Sequence, residues 1–494
     1  FHGSLFVVPA SEVRQSDVTS ARDARRTFGV THVVTGSVQR EGGEIRLTLN
    51  LVDADTERQL RSVVMDESLT SISALQDSLV LKLSRMLEVQ LQLRERKSLR
   101  AGGTNSPLAY DSYLLARGNL NRFDYDANSA SLDTASRLLT LALEQDQDYA
   151  LAYAALGETY WRKYVLTKIT QWVELAVSNS RRAAELVPEL APVQVSLGLT
   201  YKETGQYDEA VTCFLRALEI DSLCYSAHRE LALTYERLSN ATEAEAAFRR
   251  VIELRPYRWV AYYDLALFYY YMGRNPEALD KLAEAESRAP DAVNPLNNLG
   301  ALYCNLGERP KAATLLQRSL HLSPSYPAYS NLGTLATYQG KPAEAARWYE
   351  QALDFDDTDY KVWINLAAAY ETIPDHRDQA MAAFQRAIEL AEPLVEINPN
   401  DLWLLCHLAD CYISIGRHEQ ALIMADQATA LAPDNVEVLV RIGLAFEEAG
   451  RRDDALDLVA RAVRQGFPQT QIYDIEGLGE LLADTRFDSL THSE

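Results

Sequence analysis

An alanine that returns about every 34 residues restricts this chain to one kind of architecture. It stands at Ala135, Ala176, Ala210, Ala244, Ala278, Ala312, Ala345, Ala380, Ala421 and Ala455, with gaps of 41, then 34 four times, then 33, 35, 41 and 34. A period of that length marks one supersecondary unit copied many times. Each unit is too small to bury its apolar face alone, so neighbours must stack. The 494 residues exceed one ordinary core, and a stack accommodates that length by adding units.

Each alanine keeps fixed companions. In one copy they are Leu197, Gly198, Tyr201, Ala210, Phe214 and Ala217, and in the next Leu231, Ala232, Tyr235, Ala244, Phe248 and Pro256. A small residue after the leucine (Gly157, Gly198, Gly300, Gly333, Gly443) lets two helices, A and B, approach closely, while the leucine and tyrosine fill the seam to the next copy. This pattern resembles the tetratricopeptide repeat. The resemblance implies a mainly α fold, a solenoid of about ten helix-turn-helix repeats in a right-handed superhelix over residues 108–468. The first copy, near residues 113–147, is degenerate, as terminal repeats are. Residues 469–494 read as a capping helix and tail, with a closing helix over 473–490 whose polar residues solvate the end of the stack.

Two copies are longer than the rest. Between Tyr160 and Ala176 the loop joining helices A and B gains seven residues, and between Ala387 and Pro399 helix B gains a similar length. The bland reading is an extra turn of helix. The functional one is a docking protrusion over residues 165–172.

Ahead of the repeats, Leu5 to Val8 is an apolar run stopped by Pro9 and reads as a strand. Ser20 with Asp23 three residues on is a helix start, and Gly29 a natural stop, so residues 20–28 read as a helix. Val33 to Val38 forms a strand, residues 41–44 a Gly-Gly hairpin turn, and Ile45, Leu47, Leu49 and Leu51 alternate as a half-buried strand. Ile72, Leu75, Leu79, Leu83, Leu87 and Leu91 fall at helical spacing. The predicted order is β-α-β-β-α over residues 1–97, followed by a linker at 98–107 containing Gly102, Gly103, Asn105 and Ser106.

This part is similar to the small TolB amino-terminal-like domain. The likeness rests on Gly36-Ser37-Val38 before the turn and Leu51-Val52-Asp53-Ala54 after the second strand. Val7-Val8-Pro9-Ala10-Ser11-Glu12-Val13 with Thr35-Gly36-Ser37-Val38-Gln39-Arg40 is most similar to the group linked to bacterial receptor-like serine/threonine kinases. Such domains begin with a further strand and helix, so the resemblance implies a truncated α+β domain. It also implies an upstream membrane helix that would place this region in the bacterial cell envelope, on the periplasmic side, the alternative being the cytoplasm.

Charge bears on partners. Residues 1–105 hold 14 Lys and Arg against 13 Asp and Glu, leaving 34 against 57 for the repeats. A solenoid so acidic points away from nucleic acid and towards a protein or an extended peptide. No run of eighteen apolar residues occurs, so no membrane insertion is expected of this chain. The five cysteines, Cys213, Cys224, Cys304, Cys406 and Cys411, have no metal-ligand spacing and read as small core side chains. The oligomeric state is left open.

No catalytic constellation emerges. Asp375-His376-Arg377-Asp378 contains the His-Arg-Asp of a kinase catalytic loop, yet Ala383 stands where the magnesium-binding asparagine belongs. Phosphate loop, Asp-Phe-Gly and Walker motif are missing too, and the tetrapeptide falls at a turn between helices A and B. No cofactor or metal is expected.

The position just before the pattern leucine carries the candidate site. It is Asn298, Asn331 and Asn365 in three consecutive copies, with Asp264 before them and His407 after. Stacked amides offer a donor and an acceptor at each level, suited to the backbone of an extended peptide; the bland reading is asparagine merely tolerated on a wet concave surface. Similar ladders line the grooves of peptide-binding tetratricopeptide proteins such as the O-linked N-acetylglucosamine transferase. Tyr263 and Tyr270, seven residues apart in a copy that also holds Trp259, Tyr262, Tyr269 and Tyr271, fall on the groove side as candidate aromatic anchors, while Tyr269 is core and core packing is the alternative role for most of these rings. The expected function is a non-catalytic sensor or scaffold that binds protein or peptide, the C-terminal region of a receptor-like kinase. The alternatives are a substrate-selecting region of another enzyme, an adenylate cyclase or a transferase, and a scaffold gripping folded partners on its convex side.

Overall fold

A computed structural model describes residues 18–41, 44–68, 72–87, 102–126, 129–289, 291–468, 472 and 477–491. The chain divides into two compact units, one of residues 1–202 and 206–299, the other of residues 203–205 and 300–494. The expected strand at residues 5–8, the two turn glycines Gly42 and Gly43, and Leu91 all lie outside the described residues.

The first unit opens with α1 (Ala21–Phe28). The Ser20 hydroxyl accepts the Asp23 N–H, and Gly29 at φ 67° closes the helix, as the sequence predicts. Three antiparallel strands follow in the order β1 (His32–Glu41), β2 (Glu44–Asp53) and β3 (Gln59–Ser68). Val38 pairs with Leu47, and Leu47 with Met65. Sequence reading missed β3, whose apolar pair Val63-Val64 breaks strict alternation. Asp53 makes the turn into it, its carboxylate accepting the N–H of Thr56 at 2.7 Å and of Asp55 at 3.0 Å. Then α2 (Ile72–Met86) lies against β3, where Arg61 donates to the Met86 carbonyl at 2.9 Å. Residues 102–106 are no free tether. The Thr104 hydroxyl donates to Asp146 at 2.5 Å and Thr104 is buried.

The helical hairpins of this unit are α3 (Pro107–Asp126) with α4 (Ser129–Gln145), α5 (Ala150–Thr167) with α6 (Gln171–Leu186), α7 (Ala191–Glu203) with α8 (Tyr207–Ile220), α9 (Tyr225–Arg237) with α10 (Ala241–Leu254), and α11 (Trp259–Tyr271) with α12 (Asn275–Arg288). The fixed residues explain their packing. In α10 the buried set is Ala244, Phe248, Val251 and Leu254, one stripe at helical spacing. Burying a side chain such as Phe248 stabilises by about 2–3 kcal/mol. Gly198 of α7 sits over the Phe214 ring of α8, so that a Cβ there would lie 2.6 Å from it. In this copy a larger residue after the leucine would force the Phe214 ring to move.

The insertion after Tyr160 is the extra turn of helix of the bland reading. α5 runs on to Thr167, and Lys168 at φ 54° ends it by donating to the Tyr164 carbonyl. Val165 and Ile169 are exposed at this end.

α13 (Val293–Asn305) lies where the two units divide. The second unit continues with α14 (Arg309–Leu322), α15 (Tyr326–Tyr338), α16 (Pro342–Phe355), α17 (Tyr360–Glu371), α18 (Arg377–Ile397), α19 (Leu402–Ser414), α20 (His418–Leu431), α21 (Val436–Glu448) and α22 (Arg452–Arg464). The longer helix B is α18, 21 residues with Pro393 inside it. The expected single closing helix is instead α23 (Gly479–Leu482) and α24 (Thr485–Thr491), residues 473–476 lying outside the described ones. The end is closed by apolar plugging: Ile472, Leu478, Leu481 and Phe487 are fully buried against Leu456 and Val459. Asp375 and His376 occupy the turn from α17 to α18, Asp375 at φ 63°. All five cysteines are free thiols, four of them buried.

Candidate functional site

One position per helix A, the residue before the pattern leucine, places Glu230 on α9, Asp264 on α11, Asn298 on α13, Asn331 on α15, Asn365 on α17, His407 on α19 and Arg441 on α21. Equal register puts them on the same face of their helices. Their surroundings differ sharply.

In the first unit this face is an ionic rail. Arg229 on α9 holds Asp264 on α11, Nε donating to Oδ2 at 2.5 Å and Nη2 to Oδ1 at 3.2 Å, and its Nη1 lies 3.3 Å from Glu230. Lys202 on α7 closes on Glu230 at 2.7 Å. Further back, Glu158 accepts from Arg162 at 2.7 Å and from Arg117 at 2.9 Å. Burial works against the Glu230 carboxylate, but Lys202 and Arg229 outweigh it and hold it ionised below the ordinary range. For Glu158 the same contest ends at about 2. Asp264 is only 6 % exposed and its oxygens are taken. The sequence offered it as a rung open to a ligand; the structure makes it a strut between repeats.

The tyrosines divide as their register demands. Tyr262 and Tyr269 are buried, the Tyr262 hydroxyl donating to the Pro256 carbonyl at 2.8 Å and the Tyr269 hydroxyl to Glu245 at 2.9 Å. Tyr263 and Tyr270 are half-buried, Tyr263 tilted against Trp259 with centroids 5.8 Å apart and Tyr270 against Tyr271 at 5.5 Å. Burial, then Asp264 and Tyr271, push the Tyr263 phenol up, so it stays a neutral donor. Asn298, in the same unit, donates to Asn294 at 3.3 Å.

In the second unit Asn331 and Asn365 follow each other at this position on α15 and α17, both half-buried. Asn331 already has a partner in the fold. The Asn365 amide makes no hydrogen bond among the described residues, so its donor and acceptor are both available. His407 is no charged rung: its Nδ1 lies 3.3 Å from the Tyr360 hydroxyl, and burial, with Arg441 and Lys361 adding, takes its pKa down to about 3. Beyond it Arg441 pairs with Asp410, Nε to Oδ2 at 2.7 Å. Sequence reading missed Lys202, Arg229, Tyr360 and Arg441. The signal was there for Arg229 and Arg441, charged residues at or beside the same helix A position.

The hairpins carrying these faces are tetratricopeptide repeats. Family models described as Tetratricopeptide repeat match residues 195–258, 330–394 and 408–469, residues 291–358, and residues 379–430. They define a protein-interaction module, and no helix among the described residues is long and apolar enough to cross a membrane. A relative named "Putative adenylate cyclase 3" from Rhizobium meliloti (strain 1021) is 29% identical over 187 residues, 37% of this chain and 30% of its own length. This chain thus spans under a third of that relative. Among solved structures, a thermophilic TPR protein of Thermus thermophilus is 27% identical, with 36% of this chain and 98% of that one covered and a TM-score of 0.33. The Cut9-Hcn1 hetero-tetramer of the APC/C is 14% identical, covering 83% and 82%, with a TM-score of 0.39.

Proposed function

We propose that this chain is the non-catalytic, partner-binding region of a longer bacterial signalling enzyme, and that the helix A face of the second unit takes an extended peptide. The observation that carries it is Asn365, a half-buried amide with no hydrogen bond among the described residues, one repeat from Asn331 at the same register. An amide there supplies a donor and an acceptor to a peptide backbone without reading its side chains. The saturated ions of the first unit take no direct part.

A cyclase is favoured as the enzyme, on the name of the Rhizobium meliloti relative. The kinase reading rests on the TolB-like wording of residues 7–13 and 35–40 alone, and brings with it the periplasmic placement. Full-length protein that converts ATP to cyclic AMP, and transfers no phosphoryl group to serine or threonine, supports the cyclase; the reverse result supports the kinase.

The groove is tested on a peptide array with the whole chain and its Asn331→Ala/Asn365→Ala variant. Binding lowered tenfold or more, about 1.4 kcal/mol, with an unchanged melting curve supports the amide face. Equal binding by both proteins sinks it, and no binding by either moves the reading to a folded partner.

A further inference from the structure

The outer face of the first repeat helix is built like a seam, and nothing among the described residues packs on it. On α3 the buried residues are Ala109, Ser112, Ala116 and Leu120, while the opposite side exposes Leu108, Asp111, Leu114, Leu115, Gly118 and Arg122. Of these, Leu108 is 64%, Leu114 47% and Leu115 60% exposed. Residues 108, 111, 115, 118 and 122 step by three and four, the spacing of a helix that packs lengthwise on another helix. A terminal repeat normally turns a polar face outward, because nothing stacks beyond it. This one turns leucines outward.

The geometry points to a second copy of this chain as the occupant, α3 packed antiparallel on α3 about a two-fold axis. A two-fold contact must be self-complementary, and this stripe is. With the axis passing between Ala116 and Arg117, Leu115 of one copy meets Gly118 of the other, and Asp111 meets Arg122. Gly118, apart from its own neighbouring stretch of helix, has nothing within 4 Å of where a Cβ would stand. It floors a depression of about 390 Å³ lined by Leu114, Leu115, Asn119 and Arg122, which receives the incoming Leu115. Asp111 and Arg122 have no ion-pair partner among the described residues, and the two-fold supplies each with the other, twice. Parallel packing would instead set Asp111 beside Asp111 and Arg122 beside Arg122.

Sedimentation velocity of the whole chain over a concentration series tests this. The expected result is a species of twice the 55.3 kDa chain mass, lost in Leu115→Asp, in Asp111→Arg and in Arg122→Asp, with melting curves kept because these side chains face solvent. Mixing Asp111→Arg with Arg122→Asp restores the dimer as a heterodimer, since each pair then has opposite charges again. A wild-type monomer at every soluble concentration overturns the proposal. So does a dimer that survives the single charge reversals, or a mixture of the two variants that stays monomeric.

Discussion

Arg229 of α9 grips Asp264 of α11 along one edge of its guanidinium, Nε and Nη2 donating at 2.5 Å and 3.2 Å, across the boundary between two repeats. Stacked repeats touch only their neighbours, so a bidentate pair at this place fixes the register of one hairpin on the next. The pair is also costly to break, because one partner is almost wholly out of water.

Arg229→Ala is expected to lower stability by about 3 kcal/mol, the cost of a buried carboxylate left without its cation. Arg229→Met with Asp264→Leu should recover most of that loss. Urea midpoints of the three proteins check it: a single variant that melts like the parent would mean that water reaches Asp264.

Glu236, also on α9, responds to pH in the opposite direction from a paired carboxylate. Burial first, opposed by Arg237 and Lys202 and reinforced by Asp264, raises its pKa from 4.5 to about 6. The folded chain therefore holds this proton longer than the unfolded chain, and stability falls as pH rises from 4.5 through 6. Glu236→Gln should stabilise by about 1–2 kcal/mol above pH 6 and change nothing below pH 4.5. Paired melting curves at pH 4 and pH 7 separate the two regimes.

His407 works the other way. Its folded pKa of about 3 lies below the ordinary 6.5, so the unfolded chain takes up the proton first and stability falls as pH drops from 6.5 towards 3. The slope is at most about 1.4 kcal/mol per pH unit. His407→Gln keeps a neutral partner near Tyr360 and should flatten that slope in the second unit. Melting temperatures of the two proteins running parallel through this range would count against it.

Gly333 of α15 tests the helix A to helix B contact. An added Cβ would stand 2.5 Å from the Tyr349 ring of α16, which is fully buried and has little freedom to move. Gly333→Ala should cost about 1–3 kcal/mol through overpacking, although alanine is the better helix former. A thermal shift upward would show that the ring gives way.

Much of this was readable beforehand because it is periodic. The Ala135 to Ala455 series set the number of hairpins, and the leucine, small-residue and tyrosine companions set which faces close. The longer α18 and the Ser20 cap could be read for the same reason: the interactions are local. β3 was not readable, since Val63-Val64 breaks the alternation. The end of α5 was readable as one of two alternatives, the extra turn of helix that the structure has standing beside a docking protrusion.

The candidate site was readable in its positions and not in its chemistry. Register alone placed Asp264, Asn298, Asn331, Asn365 and His407 on one face of their helices. Whether each is available depends on residues far away in sequence. Arg229 removes Asp264 from 35 positions off, and burial, with Arg441 and Lys361 adding, makes His407 neutral. The sequence by itself determined the repeat, its length and the side each residue takes, because helical periodicity needs only near neighbours. Only the tertiary structure decided which polar groups on that side are spent in struts and which, as Asn365, are left over, because pairing and loss of water depend on distances that exist only once the repeats have stacked.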